Sequence, residues 1–260
     1  MTQARRVLFL FAHQDDEFGV APWIVQEIRQ GSIIRCIYLT DGGDRWRPGV
    51  RDEESLAALD AIGVRSRFVT FVENGGERIQ DRFLVFGLEE ALAAVRYWLK
   101  DGAFFPDRIY APSYEGGHPD HDAAHLIAAV IADEIGILED SWHFSLYNAY
   151  RCPAPLFRTL CQLPSKCAYR ASDLSFRERL DLTFLCARYR SQWRTWIGLL
   201  PGAILERVVL SRERVVRFDV SRLRMRPHPG PLLYERRFGM RYSDFYDSSR
   251  AFVERISGIR

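Results

Sequence analysis

Val7-Leu8-Phe9-Leu10-Phe11, followed at once by Ala12-His13-Gln14-Asp15-Asp16-Glu17, is the stretch on which the fold turns. The apolar run is too short for a signal h-region and has no small-residue cleavage site behind it, so it reads as a first strand. An amphipathic segment, Phe18–Arg29, comes next, and a second β-like run, Ile33–Thr40, follows. The pattern repeats with strands at Ser66–Val72, Arg108–Ala111 and His143–Tyr150, and helices at Asp52–Ile62, Leu88–Lys100 and Pro119–Ala132. Strand, helix, strand at this spacing predicts an α/β, Rossmann-like, mainly parallel sheet with helices on both faces.

The 260 residues are 47% hydrophobic, 13% aromatic and 27% charged, which describes a soluble globular protein and excludes disorder as the main state. One domain over 1–260 is expected, with a motif-bearing core at about 5–150 and a decorated C-terminal part at about 151–260. There, Pro153, Pro155, Pro164 and Pro201 interrupt the pattern; Ser175–Arg190 reads as a helix, and Trp196–Leu210 as two helical pieces broken at Pro201-Gly202 or as a substrate-side loop. A net charge of +2 gives no reason to expect nucleic-acid binding, and no apolar window is long enough for a transmembrane helix. The five cysteines are scattered and form no CxxC pair, so reduced thiols and a cytoplasmic location are expected. Residues 205–260 carry 13 Arg against 7 Asp and Glu. That lobe could attract an anionic group on a substrate, but the alternation of Arg217, Asp219 and Ser221 with Val216, Phe218 and Val220 is explained as readily by a half-buried strand.

Polar, glycine-bearing loops follow the first four strands: His13–Glu17, Asp41–Asp44, Glu73–Gly76 and Ser113–His121. An open parallel sheet binds ligands at the carboxyl ends of its strands, so these loops point to one site. Turns need the glycines; they do not need the histidines and paired aspartates. In His118-Pro119-Asp120-His121, Pro119 suits the first helical position, which makes His118 the N-cap and puts His121 one turn later. Alone, that tetrapeptide could equally be a capped helix with two surface histidines. With His13 and the Asp15-Asp16 pair opposite, it makes a ligand set for zinc: His13, Asp16 and His121, with one position left open for water. Asp15 is then free to act as base, and His118 to donate toward an oxyanion.

Ala12-His13-Gln14-Asp15-Asp16-Glu17 resembles the Ala-His-Pro-Asp-Asp-Glu motif of the PIG-L/LmbE-like zinc de-N-acetylases, and His118-Pro119-Asp120-His121 matches that family's second motif in full. The likeness is clear over roughly residues 5–150 and thin beyond, where Tyr189-Arg190-Ser191-Gln192 resembles a short late segment. It implies hydrolysis of an N-acetyl group from an N-acetylglucosamine-type sugar or glycoconjugate, with zinc or another divalent metal, one ion per chain. It places the metal on His13, Asp16 and His121, the general base on Asp15, the oxyanion-stabilising histidine on His118, and a histidine-orienting role on Asp120. Arg51-Asp52-Glu53-Glu54 resembles the family's Arg-x-x-Glu helix start; Arg51, Asp41 and Tyr114 are the candidate substrate-binding residues. Two positions depart from the pattern. Gln14 replaces the usual proline, which is expected to loosen the first loop. Gly116 stands where some members carry a tyrosine, and Tyr114 is the candidate replacement.

The plainer readings concern His125, a polar neighbour on the His121 helix; His143, a strand residue; and Glu17, a favourable charge in the first turn of a helix. The rivals are an amidase for a larger acyl or cysteinyl amide, a non-catalytic sugar- or nucleotide-binding module, and a phosphoesterase. The last needs paired metals, and the motifs supply carboxylates for one site only.

Overall fold

The structure, a computed structural model, describes residues 4–43, 49–73 and 75–256; Asp44 and Asn74 of the expected polar loops lie outside them. Strands and helices alternate as foreseen as far as Phe144: β1 (Arg6–Phe11), α1 (Glu17–Arg29), β2 (Ile33–Tyr38), α2 (Val50–Ala61), β3 (Val69–Phe71), α3 (Leu88–Asp101), β4 (Arg108–Pro112), α4 (Pro119–Glu134) and β5 (Ser141–Phe144). Strands β1 to β5 are parallel in the order β3-β2-β1-β4-β5, with Val7 of β1 opposite both Ile34 of β2 and Arg108 of β4.

The side-chain alternation of β1 builds both layers. Leu8, Leu10 and Ala12 pack with Leu92 and Val95 of α3 and Ile127 of α4 on one face. Val7, Phe9 and Phe11 pack with Val20, Trp23 and Ile24 of α1 on the other. Each of the valine, leucine, isoleucine and phenylalanine side chains among them contributes roughly 1.5–3 kcal/mol by leaving water. Helix α4 is buried from Pro119 to Ala132, which fixes the position of its N-terminus at the carboxyl edge of the sheet.

The C-terminal part continues through β6 (Tyr147–Asn148), β7 (Arg158–Thr159), β8 (Tyr169–Ala171), α5 (Phe176–Thr183), α6 (Trp193–Ala203), β9 (Arg214–Arg217), α7 (Leu233–Phe238) and α8 (Tyr242–Val253). Strands β9 and β8 extend the main sheet antiparallel beyond β5. The expected half-buried strand therefore exists but stops at Arg217, and Val220–Arg222 is a 3-10 turn. Helix α5 starts at the Ser175–Glu178 capping box and tightens to a 3-10 turn at Phe184–Arg188. The expected break at Pro201-Gly202 does not occur. Pro201 sits in the last turn of α6, and the helix widens into a π-turn at Ile204–Val209.

Beneath the sheet's amino edge, fully buried Glu27 accepts hydrogen bonds from Arg108 (2.7 Å), Tyr110 (2.9 Å) and Ser32 (2.8 Å). Burial alone would raise its pKa, but these donors and the Arg108 charge outweigh it and hold the carboxyl below its ordinary value. A depressed folded pKa gives stability that is present above the unfolded pKa of about 4.3 and is lost as pH falls through the folded value. Glu27→Gln is expected to cost about 1.5–3 kcal/mol at pH 7, the difference from wild type shrinking below about pH 4. Urea unfolding at both pH values measures it; a deficit independent of pH would refute the charge-based explanation.

Candidate active site

The loop after β1 carries the first group of site residues. Asp16 precedes α1 and turns back, its Oδ2 accepting from the backbone N–H of Ala12 (2.8 Å) and His13 (2.9 Å). Its Oδ1 meets His121 Nε2 at 2.9 Å. Burial favours the neutral acid, yet the charge and hydrogen bonds of His121 and His13 pull Asp16 far below the usual carboxylate range. Asp15 adopts φ of 115°, a left-handed conformation that costs a non-glycine residue on the order of 1–3 kcal/mol. Its backbone N–H donates to Glu17 Oε2 at 3.0 Å, and its carboxylate lies 3.1 Å from the Arg51 guanidinium. Burial pushes Asp15 up to about 6, against the opposing pull of Arg51.

The second group comes from α4. His118 caps the helix, its Nδ1 accepting from the Asp120 N–H at 3.2 Å, so the proton belongs on Nε2. Burial, with the neighbouring His13 and His121, lowers the His118 pKa well below the ordinary value and keeps the ring neutral. His121 lies one turn on. Its Nε2 is 3.1 Å from His13 Nδ1, while the other nitrogen of His13 is 3.1 Å from Asp120 Oδ2. Asp120 is fully buried and is itself fixed by the N–H groups of Arg82 (2.6 Å) and Leu84 (3.1 Å).

His13, Asp15, Asp16, His118 and His121 line one cavity of about 370 Å³, with Arg51, Asp81, Tyr147, Trp196, Leu199 and Phe238 among its walls. His13 Nδ1, His121 Nε2 and Asp16 Oδ1 are mutually separated by 3.1, 2.9 and 3.8 Å. Tetrahedral zinc with bonds of about 2.0–2.1 Å sets its ligands about 3.3–3.4 Å apart, so two imidazole nitrogens and a carboxylate oxygen fit such an ion.

The expected substrate-binding residues fare differently. Arg51 is at the cavity, but its guanidinium also reaches the carbonyls of Gln14 and Gly42, so it holds the Asp15 loop. Asp41 does not line the cavity; its Oδ1 accepts from the N–H groups of Gly43 and Asp81, both at 2.8 Å. Tyr114 points away, 6.3 Å between ring centres from both Phe245 and His125. The cavity's phenol is Tyr147, whose ring centre is 5.3 Å from that of His121. Gly116 has φ of 71°, and a Cβ there would meet Leu232 at 2.6 Å, so a tyrosine has no room at that position. Gln14 tightens the first loop instead of loosening it: its amide donates to Thr40 O (3.2 Å) and Asp52 Oδ1 (2.8 Å).

Three further residues shape the cavity's surroundings in ways the sequence reading did not assign to them. Asp81 lies 3.2 Å from His13 Nε2 and 3.4 Å from His118 Nε2. Glu17 is no surface charge; it is fully buried, accepts from Tyr189 Oη at 3.0 Å, and is raised by burial to about 7. That contact docks the Tyr189–Gln192 segment beside the cavity, and Ser191 fastens it further to Glu54 (2.6 and 2.8 Å). Glu115 gathers the N–H groups of Leu146 (2.8 Å) and Tyr147 (3.0 Å), which steers the chain leaving β5 toward the cavity. His125 and His143 stay outside it, bonded to Pro112 O (2.8 Å) and Ser113 Oγ (2.6 Å).

Gly117 lets Tyr147 approach: a Cβ at 117 would lie 1.9 Å from the Tyr147 carbonyl oxygen. Gly117→Ala is expected to cost about 1–3 kcal/mol and, by moving β6 from the cavity, roughly a hundredfold in turnover. Thermal unfolding and kinetics on the same preparation check this; wild-type values in both would show that the close approach is dispensable.

Residues 8–132 match the family model described as PIG-L, GlcNAc-PI de-N-acetylase. Among solved structures, the zinc-inhibited form of teicoplanin deacetylase Orf2 is similar at 17% identity and a TM-score of 0.58, over 82% of this chain and 99% of that one. N,N'-diacetylchitobiose deacetylase from Pyrococcus horikoshii is similar at 17% identity and a TM-score of 0.52, over 83% of this chain and 82% of that one. At such identity these likenesses show a common α/β fold.

Proposed function

We propose, from the premise that residues 8–132 of this chain form a PIG-L family domain, that the protein is a metal-dependent hydrolase removing an N-acetyl group from an N-acetylglucosamine-type sugar or glycoconjugate. The observation that carries this is the convergence of His13 Nδ1, Asp16 Oδ1 and His121 Nε2 on one cavity flanked by Asp15 and His118. These three residues would hold zinc or a similar divalent ion, one per chain. When bound, such an ion supplies Lewis-acid polarisation of the acetyl carbonyl and lowers the pKa of water.

The remaining work falls to the chain's own groups. Asp15, raised by burial to about 6, accepts the proton of the attacking water. Arg51 sets the direction of that carboxylate. His118 presents its Nε2–H to the oxyanion that forms as water adds to the carbonyl carbon. Asp15 then passes its proton to the amine nitrogen, the C–N bond breaks, and acetate and the free amine leave. Asp120 orients His13 through Nε2. Trp196, Leu199 and Phe238 offer apolar walls to a sugar ring, and Arg82 and Arg237, also at the cavity, suit a substrate bearing an anionic group.

No helix among the described residues is long and apolar enough to cross a membrane, and all five cysteines are free, which supports a cytoplasmic site of action. The test is a substrate panel of N-acetylglucosaminyl lipids, N-acetylglucosaminyl thiols, chitin fragments and glycosylated antibiotics, scored for acetate and free amine. Longer-acyl amides and phosphate esters serve as comparisons. Acetate release from an amino sugar is the expected result. Phosphate release alone, or turnover confined to longer acyl groups, would overturn the assignment.

A further inference from the structure

Helix α6 is apolar on every side although it lies at the surface. Of its 11 residues, only Arg194 and Thr195 have polar side chains. One side turns inward: Trp196 and Ala203 are buried in a cluster with Phe18 and Leu185, and Leu199 faces the catalytic cavity. The other side has no partner among the described residues. Trp193, Ile197, Leu200 and Ile204 recur at helical spacing and form one stripe along α6 into the turn that follows. Trp193 is 56% exposed and Ile197 66%. The four line an open groove of about 660 Å³, and Leu205 and Val209 carry exposed apolar surface on beyond it. Single exposed apolar residues are ordinary on a protein surface; a contiguous stripe of them marks a contact.

The stripe is edged with positive charge. From Phe184 to Leu205 the chain has three arginines and no acidic residue. Arg188, Arg190 and Arg194 are all exposed, Arg190 lines the groove, and Arg194 lies 5.2 Å from the Trp193 ring centre. Glu54 touches this segment, but at Ser191. We propose that this face docks on an anionic lipid bilayer, with Trp193, Ile197, Leu200 and Ile204 entering the headgroup boundary and the three arginines meeting lipid phosphates. An apolar stripe that carries tryptophan and is bordered by arginine is the composition of a helix lying in a membrane interface. A second copy of the chain fits this face less well. A two-fold contact would set the same arginines against one another, with no carboxylate in the stripe to offset them. Trp196 is a wall of both the groove and the catalytic cavity, so the docked chain holds that cavity beside the lipid surface. Docking involves no catalytic group, so its failure would leave the proposed hydrolysis standing.

The experiment is co-sedimentation of the full chain with vesicles of equal parts phosphatidylglycerol and phosphatidylcholine, beside vesicles of phosphatidylcholine alone, at about 0.1 M salt. Wild type is compared with Trp193→Ser/Ile197→Ser and with Arg190→Gln/Arg194→Gln. All four side chains are exposed, so the variants are expected to fold, which circular dichroism confirms. Wild type should sediment with the anionic vesicles and much less with the neutral ones. The Trp193→Ser/Ile197→Ser variant should bind the anionic vesicles at least roughly tenfold more weakly. The Arg190→Gln/Arg194→Gln variant should lose most of the preference for them, together with most of the sensitivity to added salt. Wild type that stays in the supernatant with both vesicles would overturn the proposal, as would a folded Trp193→Ser/Ile197→Ser variant that binds like wild type. Light scattering tests the rival occupant: a wild-type dimer that Trp193→Ser/Ile197→Ser converts to monomer would give this face to a second copy and overturn the lipid assignment.

Discussion

Asp15→Asn is expected to reduce amine release by about 10²–10⁴-fold while leaving zinc uptake by His13, Asp16 and His121 unchanged. Asparagine keeps the size of the side chain and tolerates the left-handed backbone at this position better than most residues, so the loop should survive. What disappears is the ability to take a proton. The metal donors are His13, Asp16 and His121, and none depends on the Asp15 carboxylate for its position: Asp16 is fixed by the N–H groups of Ala12 and His13, and His121 by α4. Loss confined to turnover, with substrate affinity near wild type, is therefore the signature. Activity within tenfold of wild type would mean that another group is the base.

Arg207→Leu is expected to cost about 3–5 kcal/mol of stability. The guanidinium is fully buried, pairs with Glu213 through two contacts of 2.7 Å, and donates to the carbonyls of Leu182 (3.1 Å) and Phe18 (2.6 Å). It also lies 4.3 Å from the Phe18 ring centre. Removing it strands the Glu213 carboxylate and two carbonyls in a dry interior. It also releases the C-terminal helices from the first turn of α1, two residues beyond Asp16, so activity should fall with stability. The double variant Arg207→Leu/Glu213→Leu should regain much of the loss, because a buried pair replaced by apolar groups is often near neutral. Denaturant unfolding of the three proteins measures this. A single-variant cost below about 1 kcal/mol would show that the pair does not brace the site.

The parallel core was legible because it obeys local rules: unbroken apolar runs for buried strands, period-3.6 patterns for helices, and proline after a capping histidine for α4. Failures occur where distant residues decide. The expected strand Ser66–Val72 shortens to Val69–Phe71 because β3 is the sheet edge, and Ser66–Phe68 curls into an outlying 3-10 turn. The expected strand His143–Tyr150 divides because Glu115, far back in the chain, takes the N–H groups of Leu146 and Tyr147. For the site, the two motifs brought His13, Asp15, Asp16, His118, Asp120 and His121 together as anticipated. Asp81 belongs to no motif and arrives on the segment after β3, so nothing local marks it. Tyr114 and Tyr147 could not be told apart from sequence, since which one faces the cavity depends on how the chain leaves β4 and β5. Glu17 looked like a charge placed at a helix start until Tyr189 covered it.

The central claim is that the His13, Asp16 and His121 set makes this chain a metal-dependent N-deacetylase. Its most direct test is acetate release from the best substrate of the panel as one equivalent of zinc is returned to chelator-stripped protein. Stripped wild type should be inactive and recover with the first equivalent, while His121→Ala should not recover. Stripped protein that releases acetate as fast as the restored enzyme would contradict the claim.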